Sequence, residues 1–272
     1  MDITGNAYVI GASGIGRACA LAFSRYGVSG LIVADLNIED AEAAVKECKD
    51  VASNASFQAK GVLMDITNNE SVSTALADGT KFLGRIDYCV NSAGVGVRNA
   101  SEIAKADVDE FNNMLQVNVA GAFLITRAMS AVMKNQEPKQ IDPTSPRRGL
   151  TRGAIVNIGS ASAFAATPGM IQYTTAKHAV LGITKNAALD NAAYCIRVNS
   201  VCPSWVDTPM LRKAIDDTPE LETLINKAVP LGRIALAEEV ADAVIFLCSP
   251  RASYAVGCSL ILDGGTLLTG HA

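Results

Sequence analysis

The fold of this chain is decided by the stretch AYVIGASGIG, residues 7–16. A short apolar run, Ala7–Ile10, leads into a glycine-rich turn, and a segment with helical periodicity follows from Ile15 to Tyr26. Glycines let the backbone approach a pyrophosphate closely, and the amides and dipole at the start of a helix attract the same anion. A strand, a glycine turn and a helix in this order predict the start of a dinucleotide-binding fold.

Beyond this stretch, apolar runs alternate with helix-period segments along the whole chain. The predicted strands are Ala7–Ile10, Gly30–Ala34, Phe57–Met64, Ile86–Asn91, Ala154–Ile158, Ile196–Val201 and Leu260–Leu262. The predicted helices are Ile15–Tyr26, Ile38–Ala52, Asn69–Phe82, Val108–Lys134, Gln172–Asn191 and Ala237–Cys248. Such alternation predicts an α/β fold of the Rossmann type, a doubly wound, seven-stranded parallel sheet with helices on both faces. One domain is predicted to span residues 1–272.

Two segments interrupt the alternation. Residues 135–152 are rich in proline, which removes backbone donors, and in Lys and Arg, and they are predicted to form an inserted surface loop. A basic loop could contact an anionic partner, although a solvated connection is the favoured interpretation. Residues 203–230 are predicted to form a substrate lid with a short helix from Met210 to Ile215, because long irregular segments in compact domains are often functional.

Composition excludes several classes of function. The chain has 272 residues, of which 49% are apolar, and its net charge of −4 disfavours nucleic-acid binding through phosphate neutralisation. The start of the chain, Met1–Asn6, lacks the features of a signal peptide, and no apolar run reaches the roughly 18 residues of a membrane span. The sequence therefore predicts a cytoplasmic protein that binds neither nucleic acid nor membrane.

Cysteine spacing predicts neither a metal site nor disulfides. The cysteines number seven, which is odd, and no two of them have the C-x-x-C spacing of zinc ligands. They are predicted to be small buried apolar residues in a reducing compartment. They are Cys19, Cys48, Cys89, Cys195, Cys202, Cys248 and Cys258.

Five further residues carry chemistry. Asp35 ends the second predicted strand, where a carboxylate would bind both hydroxyls of a ribose and repel a 2′-phosphate, so NAD is favoured over NADP. Tyr173 and Lys177 share one helix face at i, i+4, and an ammonium beside a phenol stabilises the phenolate. Such a pair is common at protein surfaces, but Ser160 at a strand end and Asn118 upstream favour a catalytic set.

Taken together, these residues resemble the ordered motifs of short-chain dehydrogenases/reductases, in their short single-domain branch. The resemblance covers essentially the whole chain. It also includes Asp65 after the third strand, Asn91-Ser92-Ala93-Gly94 after the fourth, Val117-Asn118-Val119 and Pro203–Thr208. The sequence of Cys202–Met210 resembles that of filamentous-fungal members of the family, which implies a role in secondary metabolism.

The resemblance implies an NAD(H)-dependent oxidoreductase that interconverts a secondary alcohol and a ketone on a small, largely apolar substrate. Tyr173 would be the general acid/base on the substrate oxygen, and Ser160 would hydrogen-bond that oxygen. Lys177 would favour the phenolate and hold the nicotinamide ribose. Asn118 would sit in a helix distortion and support a water that reaches Lys177.

The family also implies binding residues and an assembly. The cofactor would contact Gly11, Ser13, Gly14, Ile15, Gly16, Asp35, Asp65, Ile66, Asn91, Ala93, Gly94, Tyr173, Lys177, Pro203, Val206 and Thr208. The substrate would contact Ser162, Phe164, Met170, Trp205 and Met210. Segments Val108–Lys134 and Gln172–Asn191 would pair across subunits in a homodimer or homotetramer, or else pack only on their own sheet.

The glycine turn departs from the family pattern Thr-Gly-x-x-x-Gly-x-Gly. Either the turn is one residue shorter, with Gly11 as its first glycine, or Ile10 replaces that glycine. A shorter turn would shift backbone amides relative to the pyrophosphate. The altered turn motivates one alternative function, a nucleotide-binding protein without redox activity. A separate alternative is a non-redox biosynthetic step, such as dehydration or cyclisation, on the same fold.

Overall fold

A seven-stranded parallel sheet forms the centre of the computed structural model, which describes residues 3–269. The strands are β1 Asn6–Ile10, β2 Gly30–Asp35, β3 Gln58–Leu63, β4 Tyr88–Asn91, β5 Gly153–Ile158, β6 Ile196–Pro203 and β7 Ser259–Leu262. Their spatial order is β7-β6-β5-β4-β1-β2-β3, and every neighbouring pair is parallel. The order reverses between β4 and β1, where doubly wound sheets bind ligands at the carboxyl ends of their strands. The predicted fold class is confirmed.

Nine α-helices lie among the described residues, and most bounds differ from the predicted ones by a residue or two, as is usual at helix ends. They are α1 Gly14–Tyr26, α2 Ile38–Val51, α3 Asn69–Leu83, α4 Val108–Leu115, α5 Ala122–Lys134, α6 Ile171–Ala192, α7 Pro209–Asp217, α8 Leu221–Ala228 and α9 Ala237–Cys248. Residues 1–2 and 270–272, the ends of the predicted domain, lie outside the description.

The sheet is buried on both faces, and alternate strand residues point to opposite sides. In β1, Val9 joins an apolar cluster with α1, α2 and α9, whereas Tyr8 joins a second cluster with α3, α5 and α6. Both side chains are fully buried. The carboxyl ends of the strands are therefore held in place by apolar cores on both faces of the sheet.

The predicted helix Val108–Lys134 is not regular. A π-helical turn, Gln116–Gly121, separates α4 from α5 and contains Asn118. Wide turns of this kind are rare and occur frequently at functional sites.

The helical stretch Val108–Lys134 is also long and apolar enough, by length and composition, to span a membrane. In the fold, however, it contacts α6 and the central sheet. Core helices of soluble folds pass the same test, so this stretch is weak evidence for a membrane span.

The inserted segment 135–152 contains a short antiparallel strand pair, Lys139–Gln140 with Leu150–Thr151. It follows the end of α5 and precedes β5, so it lies at the amino edge of the sheet, opposite the crevice. The ammonium of Lys139 lies 2.8 Å from Oδ1 of the buried Asp87 carboxylate. At least one of the basic side chains therefore neutralises a buried charge of this chain.

The predicted lid, residues 203–230, contains two helices, α7 and α8, of which only the first was predicted from the sequence. The prediction of an irregular segment was wrong for Leu221–Ala228, because flanking prolines masked a short helix. Arg212 makes a bidentate ion pair with Asp207 at 2.6 and 2.7 Å, which fastens α7 to the strand residues Val206–Asp207.

Candidate active site

The glycine turn is the shorter of the two alternatives. Ile10 is a buried strand residue paired with Ala34 and Asn91, whereas Gly11 follows the strand with φ +103°. Gly14 opens α1 with φ +48°, and a Cβ on Gly16 would overlap the carbonyl oxygen of Gly11. Side chains are therefore excluded from this turn at three places, as close approach of a phosphate requires.

The start of α1 leaves its first amides available. Ser13 is the residue before the helix, and its side chain makes no capping bond in the described structure. The N–H groups of the first turn have no partners within a helix. Together with the helix dipole they could hold an anion, such as a pyrophosphate, at the carboxyl edge of β1.

Asp35 lies beside this turn at the end of β2. Its Oδ2 accepts a hydrogen bond from Ala12 N at 2.7 Å, and its Oδ1 accepts one from Asn37 N at 3.0 Å. An ionised carboxylate has about four acceptor sites, so about two remain for a ligand such as the two hydroxyls of a ribose.

The segment after β4 closes the other side of the crevice. Gly11 abuts Ala93, whose N would lie 3.2 Å from a Cβ built on that glycine. The side chain of Asn91 is buried, and its Oδ1 has no hydrogen-bond partner among residues 3–269. A buried acceptor without a donor at this position fits a bound group with hydrogen-bond donors.

Asp65 and Ile66 lie at the end of β3 and are engaged within the protein. Oδ1 of Asp65 accepts hydrogen bonds from the backbone N and Oγ1 of Thr67. Ile66 is buried, and its side chain fills the space where Gly121 lacks a Cβ. Both residues thus shape the edge of the crevice on the β3 side.

The lid begins against the glycine turn. Thr208 caps α7 by accepting from Leu211 N, and its Oγ1 donates to the carbonyl oxygen of Val206. A Cβ built on Gly14 would lie 3.0 Å from Cγ2 of Thr208. Pro203, at the end of β6, precedes this segment, so the predicted residues of the lid adjoin those of the turn.

Ser160, Tyr173 and Lys177 are held beside the ends of β5 and β6. Lys177 is 9% exposed; its Nζ donates to the carbonyl oxygen of Ile158 at 3.0 Å and lies 5.5 Å from the centre of the Tyr173 ring. Ser160 is buried and begins the 3₁₀ turn Ala161–Ala163, which packs against α6. Its Oγ accepts from Ser162 N at 3.1 Å.

Asn118 fixes the loop after β4 from within the π-helical turn. Its Oδ1 accepts from Val95 N at 2.8 Å, and its Nδ2 donates to Val95 O at 2.9 Å. The extra residue of a π turn brings this side chain inward. The residue predicted to support a proton relay thus also clamps the wall of the crevice.

The predicted substrate residues occupy three segments around the opening. Phe164 and Met210 are about half exposed, and a Cβ built on Gly96 would lie 3.0 Å from Sδ of Met210. Met170 directly precedes α6, and Trp205 O accepts from Ala235 N at 3.0 Å. The lid therefore touches the loop after β4 through Met210.

Comparison with known proteins agrees with this geometry. A family model described as enoyl-(acyl carrier protein) reductase matches residues 9–266. The chain is 66% identical to the short-chain dehydrogenase srdC of Neurospora crassa, over 100% of both chains. It is 63% identical to the short-chain dehydrogenase RED2 of Pyricularia oryzae, over 100% of this chain and 99% of that one.

The chain belongs to the short-chain dehydrogenase/reductase family. It is also similar to a 3-ketoacyl-(acyl-carrier-protein) reductase from Brucella melitensis, solved in complex with NADH. That match has 28% identity and a TM-score of 0.80 and covers 96% of this chain and 98% of that one. The protein is therefore an oxidoreductase of a family that usually binds a nicotinamide cofactor.

Glu110 and Gln172 of this short-chain dehydrogenase also shape the site, although neither was predicted from the sequence to do so. Glu110 on α4 accepts from Arg98 N at 2.7 Å and from Gln172 Nε2 at 3.2 Å. The pattern Asp107-x-x-Glu110 is typical of a capping box, in which the glutamate would bond to the backbone of Asp107. The local pattern therefore predicts a bond within α4, whereas the contact between Glu110 and Gln172 forms only when α4 and α6 pack together.

The cysteines of the dehydrogenase are all free, and five of the seven are buried. The prediction of burial was wrong for Cys258, which is exposed beside the edge strand β7, and Cys195 is half-buried. Cys202 lies under Gly159, where burial raises the pKa of its thiol. Among residues 3–269, no three His, Cys, Asp or Glu side chains are grouped as metal ligands.

Proposed function

We propose that this short-chain dehydrogenase interconverts a secondary alcohol and a ketone with NAD(H), on a small, largely apolar substrate. One observation carries the proposal: the buried Lys177 ammonium stands 5.5 Å from the Tyr173 ring, next to the segment of Ser160. When bound, the nicotinamide supplies the hydride chemistry.

The side chains of the chain handle the proton. In the reductive direction, the Tyr173 hydroxyl donates its proton to the carbonyl oxygen, and in the oxidative direction the phenolate takes the proton from the alcohol. Ser160 Oγ donates a hydrogen bond to the same oxygen and orients it. Lys177, anchored on Ile158 O, stabilises the negative charge that Tyr173 carries after proton donation.

NAD rather than NADP is supported by the charges near the turn. Asp35 places a carboxylate where a 2′-phosphate would stand, and like charges at such range repel. Arg17, on the adjoining helix face, is paired with Glu47, but both side chains are more than 40% exposed, so this surface ion pair is weak and the preference for NAD depends on Asp35.

An apolar substrate is supported by the opening of the crevice, where Phe164 and Met210 are partly exposed. Their rings and thioethers bind apolar surface without selecting a charge. We further propose that the protein works in the cytoplasm, in secondary metabolism. The seven free thiols support a reducing compartment, and the resemblance of Cys202–Met210 to fungal members of the family supports the metabolic setting.

Turnover by a Tyr173→Phe variant tests the function. We expect a loss of about 10²–10⁴-fold, as for removal of a general acid/base. Activity is measured by the cofactor's absorbance with a panel of small cyclic and aryl ketones and NADH, and with the matching alcohols and NAD⁺. Tyr254→Phe, on a fully exposed side chain, is the control. Near-wild-type turnover by Tyr173→Phe would remove the mechanism, and product without absorbance change would indicate a non-redox step.

We also propose a homodimer or homotetramer. A shallow apolar groove runs along α4, the π turn, the start of α5 and α6, and its lining includes Leu115, Val119, Phe123 and Ile183. Phe123 is 51% exposed at this groove. A second copy of the same helices would cover it, as the family resemblance implies, and a two-fold axis makes such a face self-complementary.

A further inference from the structure

The hydrogen bond between Asp35 and Ala12 joins the end of β2 to the middle of the shortened glycine turn. The Ala12 N–H donates to Asp35 Oδ2 at 2.7 Å, although Ala12 itself is only 4% exposed. A buried donor must be satisfied by the protein or by ordered water. Asp35 supplies that acceptor directly.

In the shortened turn, few other groups can hold the backbone of Ala12 and Ser13 in place. Only Ala12 and Ser13 stand between Gly11 and the start of α1 at Gly14. The Gly11 N–H is already bonded to Ala34 O at 2.8 Å, and Ser13 makes no capping bond within the described structure. The Asp35 carboxylate is therefore the side chain that ties the middle of the turn to the sheet.

We propose that Asp35 is a positioning residue for the shortened turn, in addition to its proposed contact with the cofactor ribose. Through Ala12 it fixes the backbone amides that would face the pyrophosphate. The nucleotide part of this inference rests on the proposed function, but the positioning part does not. It follows that removing the Asp35 charge converts the site to NADP only if an acceptor for Ala12 remains.

Two neutral variants separate the roles, because an amide keeps an acceptor oxygen and a methyl group does not. Asp35→Asn removes the charge and leaves one oxygen for the Ala12 N–H, while its NH2 group replaces the oxygen that accepts from Asn37 N, a backbone amide at an exposed residue that water can reach. Asp35→Ala removes both the charge and the acceptor. Asp50→Ala, at an exposed position near the end of α2, serves as the control. If Asp35→Ala does not fold, Asp35→Ser replaces it, since its hydroxyl is one bond shorter than the carboxylate.

The first measurement is amide hydrogen exchange of Ala12 in the cofactor-free protein. We expect protection to be retained in Asp35→Asn and in the control, and to fall by about tenfold or more in Asp35→Ala. Equal protection in Asp35→Asn and Asp35→Ala would overturn the positioning role.

The second measurement is the Kd of NADH and of NADPH by fluorescence titration. We expect NADPH to bind about tenfold more tightly to Asp35→Asn than to wild type, while Asp35→Ala loses NADH affinity and gains none for NADPH. Equal gains of NADPH affinity in both variants would overturn the inference. If wild type binds neither nucleotide while exchange of Ala12 still separates the variants, the proposed function fails and the positioning role stands.

Discussion

Glu110 on α4 accepts a hydrogen bond at 3.2 Å from Gln172, the residue that precedes Tyr173 on α6. The same carboxylate accepts from Arg98 N at 2.7 Å and from Asn99 N at 3.2 Å. One side chain thus joins α4, the loop after β4 and the helix of the proposed acid/base. That loop also touches Met210 of the lid through Gly96.

Loss of this junction should loosen the loop and destabilise the fold. For Glu110→Ala we expect faster amide exchange at Arg98 and Asn99 and a free energy of unfolding lower by about 1–2 kcal/mol, because the variant loses hydrogen bonds to a charged group. Asp109→Ala, on the exposed neighbouring residue, is the control. Exchange at Arg98 and Asn99 that matches the control would contradict the junction.

The same carboxylate should contribute to the pH dependence of stability. Burial alone would raise the pKa of Glu110, but hydrogen bonds from Arg98, Gln172 and Asn99 outweigh it and hold that pKa below its ordinary value. A lowered folded-state pKa gives stability that is present above the unfolded value of about 4.3 and is lost as pH falls through the folded one. The difference in free energy of unfolding between wild type and Glu110→Gln should therefore shrink on acidification. A difference that stays constant down to about pH 3 would argue against this assignment.

Thiol reactivity should separate one cysteine from the rest. Burial raises the pKa of Cys48 to about 11 and that of Cys248 to about 12, so few thiolates form there near neutral pH. Cys258 is exposed. In the folded protein we expect one fast reaction with a thiol reagent, absent in Cys258→Ser and retained in Cys195→Ser. A fast phase that survives in Cys258→Ser would show that another thiol is accessible.

The proposed subunit contact depends on the apolar groove at α5. Phe123→Asp would place a charge in the buried interface, where an unpaired charge is strongly unfavourable. We expect sedimentation velocity to show a smaller assembly for Phe123→Asp than for wild type. Leu150→Asp, at an exposed position in the inserted segment, should leave the assembly unchanged. An unchanged assembly in Phe123→Asp would exclude this face as the interface.

The local features of this dehydrogenase follow from its sequence, whereas its long-range contacts do not. The strands and the pair Tyr173 and Lys177 depend on periodicities of two and 3.6 residues, which a sequence displays directly. The bond between Glu110 and Gln172 joins residues 62 positions apart. The pairing of Lys139 with Asp87 likewise requires the folded chain, since the segment around Lys139 shows only charge and proline.

Glycines illustrate the same limit. The stretch AYVIGASGIG can be aligned with the family pattern in two ways. Either Gly11 is the first glycine of a turn one residue shorter, or Ile10 replaces the first glycine of a turn of normal length, and the sequence alone does not distinguish them. The strand pairing of Ile10 with Ala34 and the positive φ of Gly11 decide between them. Backbone conformation, which no residue pattern states, was the missing information.

A last prediction concerns Arg197, a buried arginine of β6 with no part in the proposed chemistry. It is 8% exposed, and its guanidinium donates to Leu247 O at 2.7 Å and Cys248 O at 3.1 Å, at the end of α9. Terminal carbonyls of a helix lack partners within it, and a cation there also meets the negative end of the dipole. Burial lowers the pKa of Arg197, but the group stays charged at neutral pH.

Arg197→Met should leave those buried carbonyls without donors, so we expect the free energy of unfolding in urea to fall by about 2–3 kcal/mol. Arg197→Lys should recover only part of that loss, because a single ammonium lacks the planar fork that spans two carbonyls. Arg251→Met, on an exposed arginine of the following 3₁₀ turn, controls for the loss of a positive charge. If Arg197→Met and Arg251→Met unfold at the same urea concentration, water must donate hydrogen bonds to the carbonyl oxygens at the end of α9. Arg197 would then not be the cap of that helix.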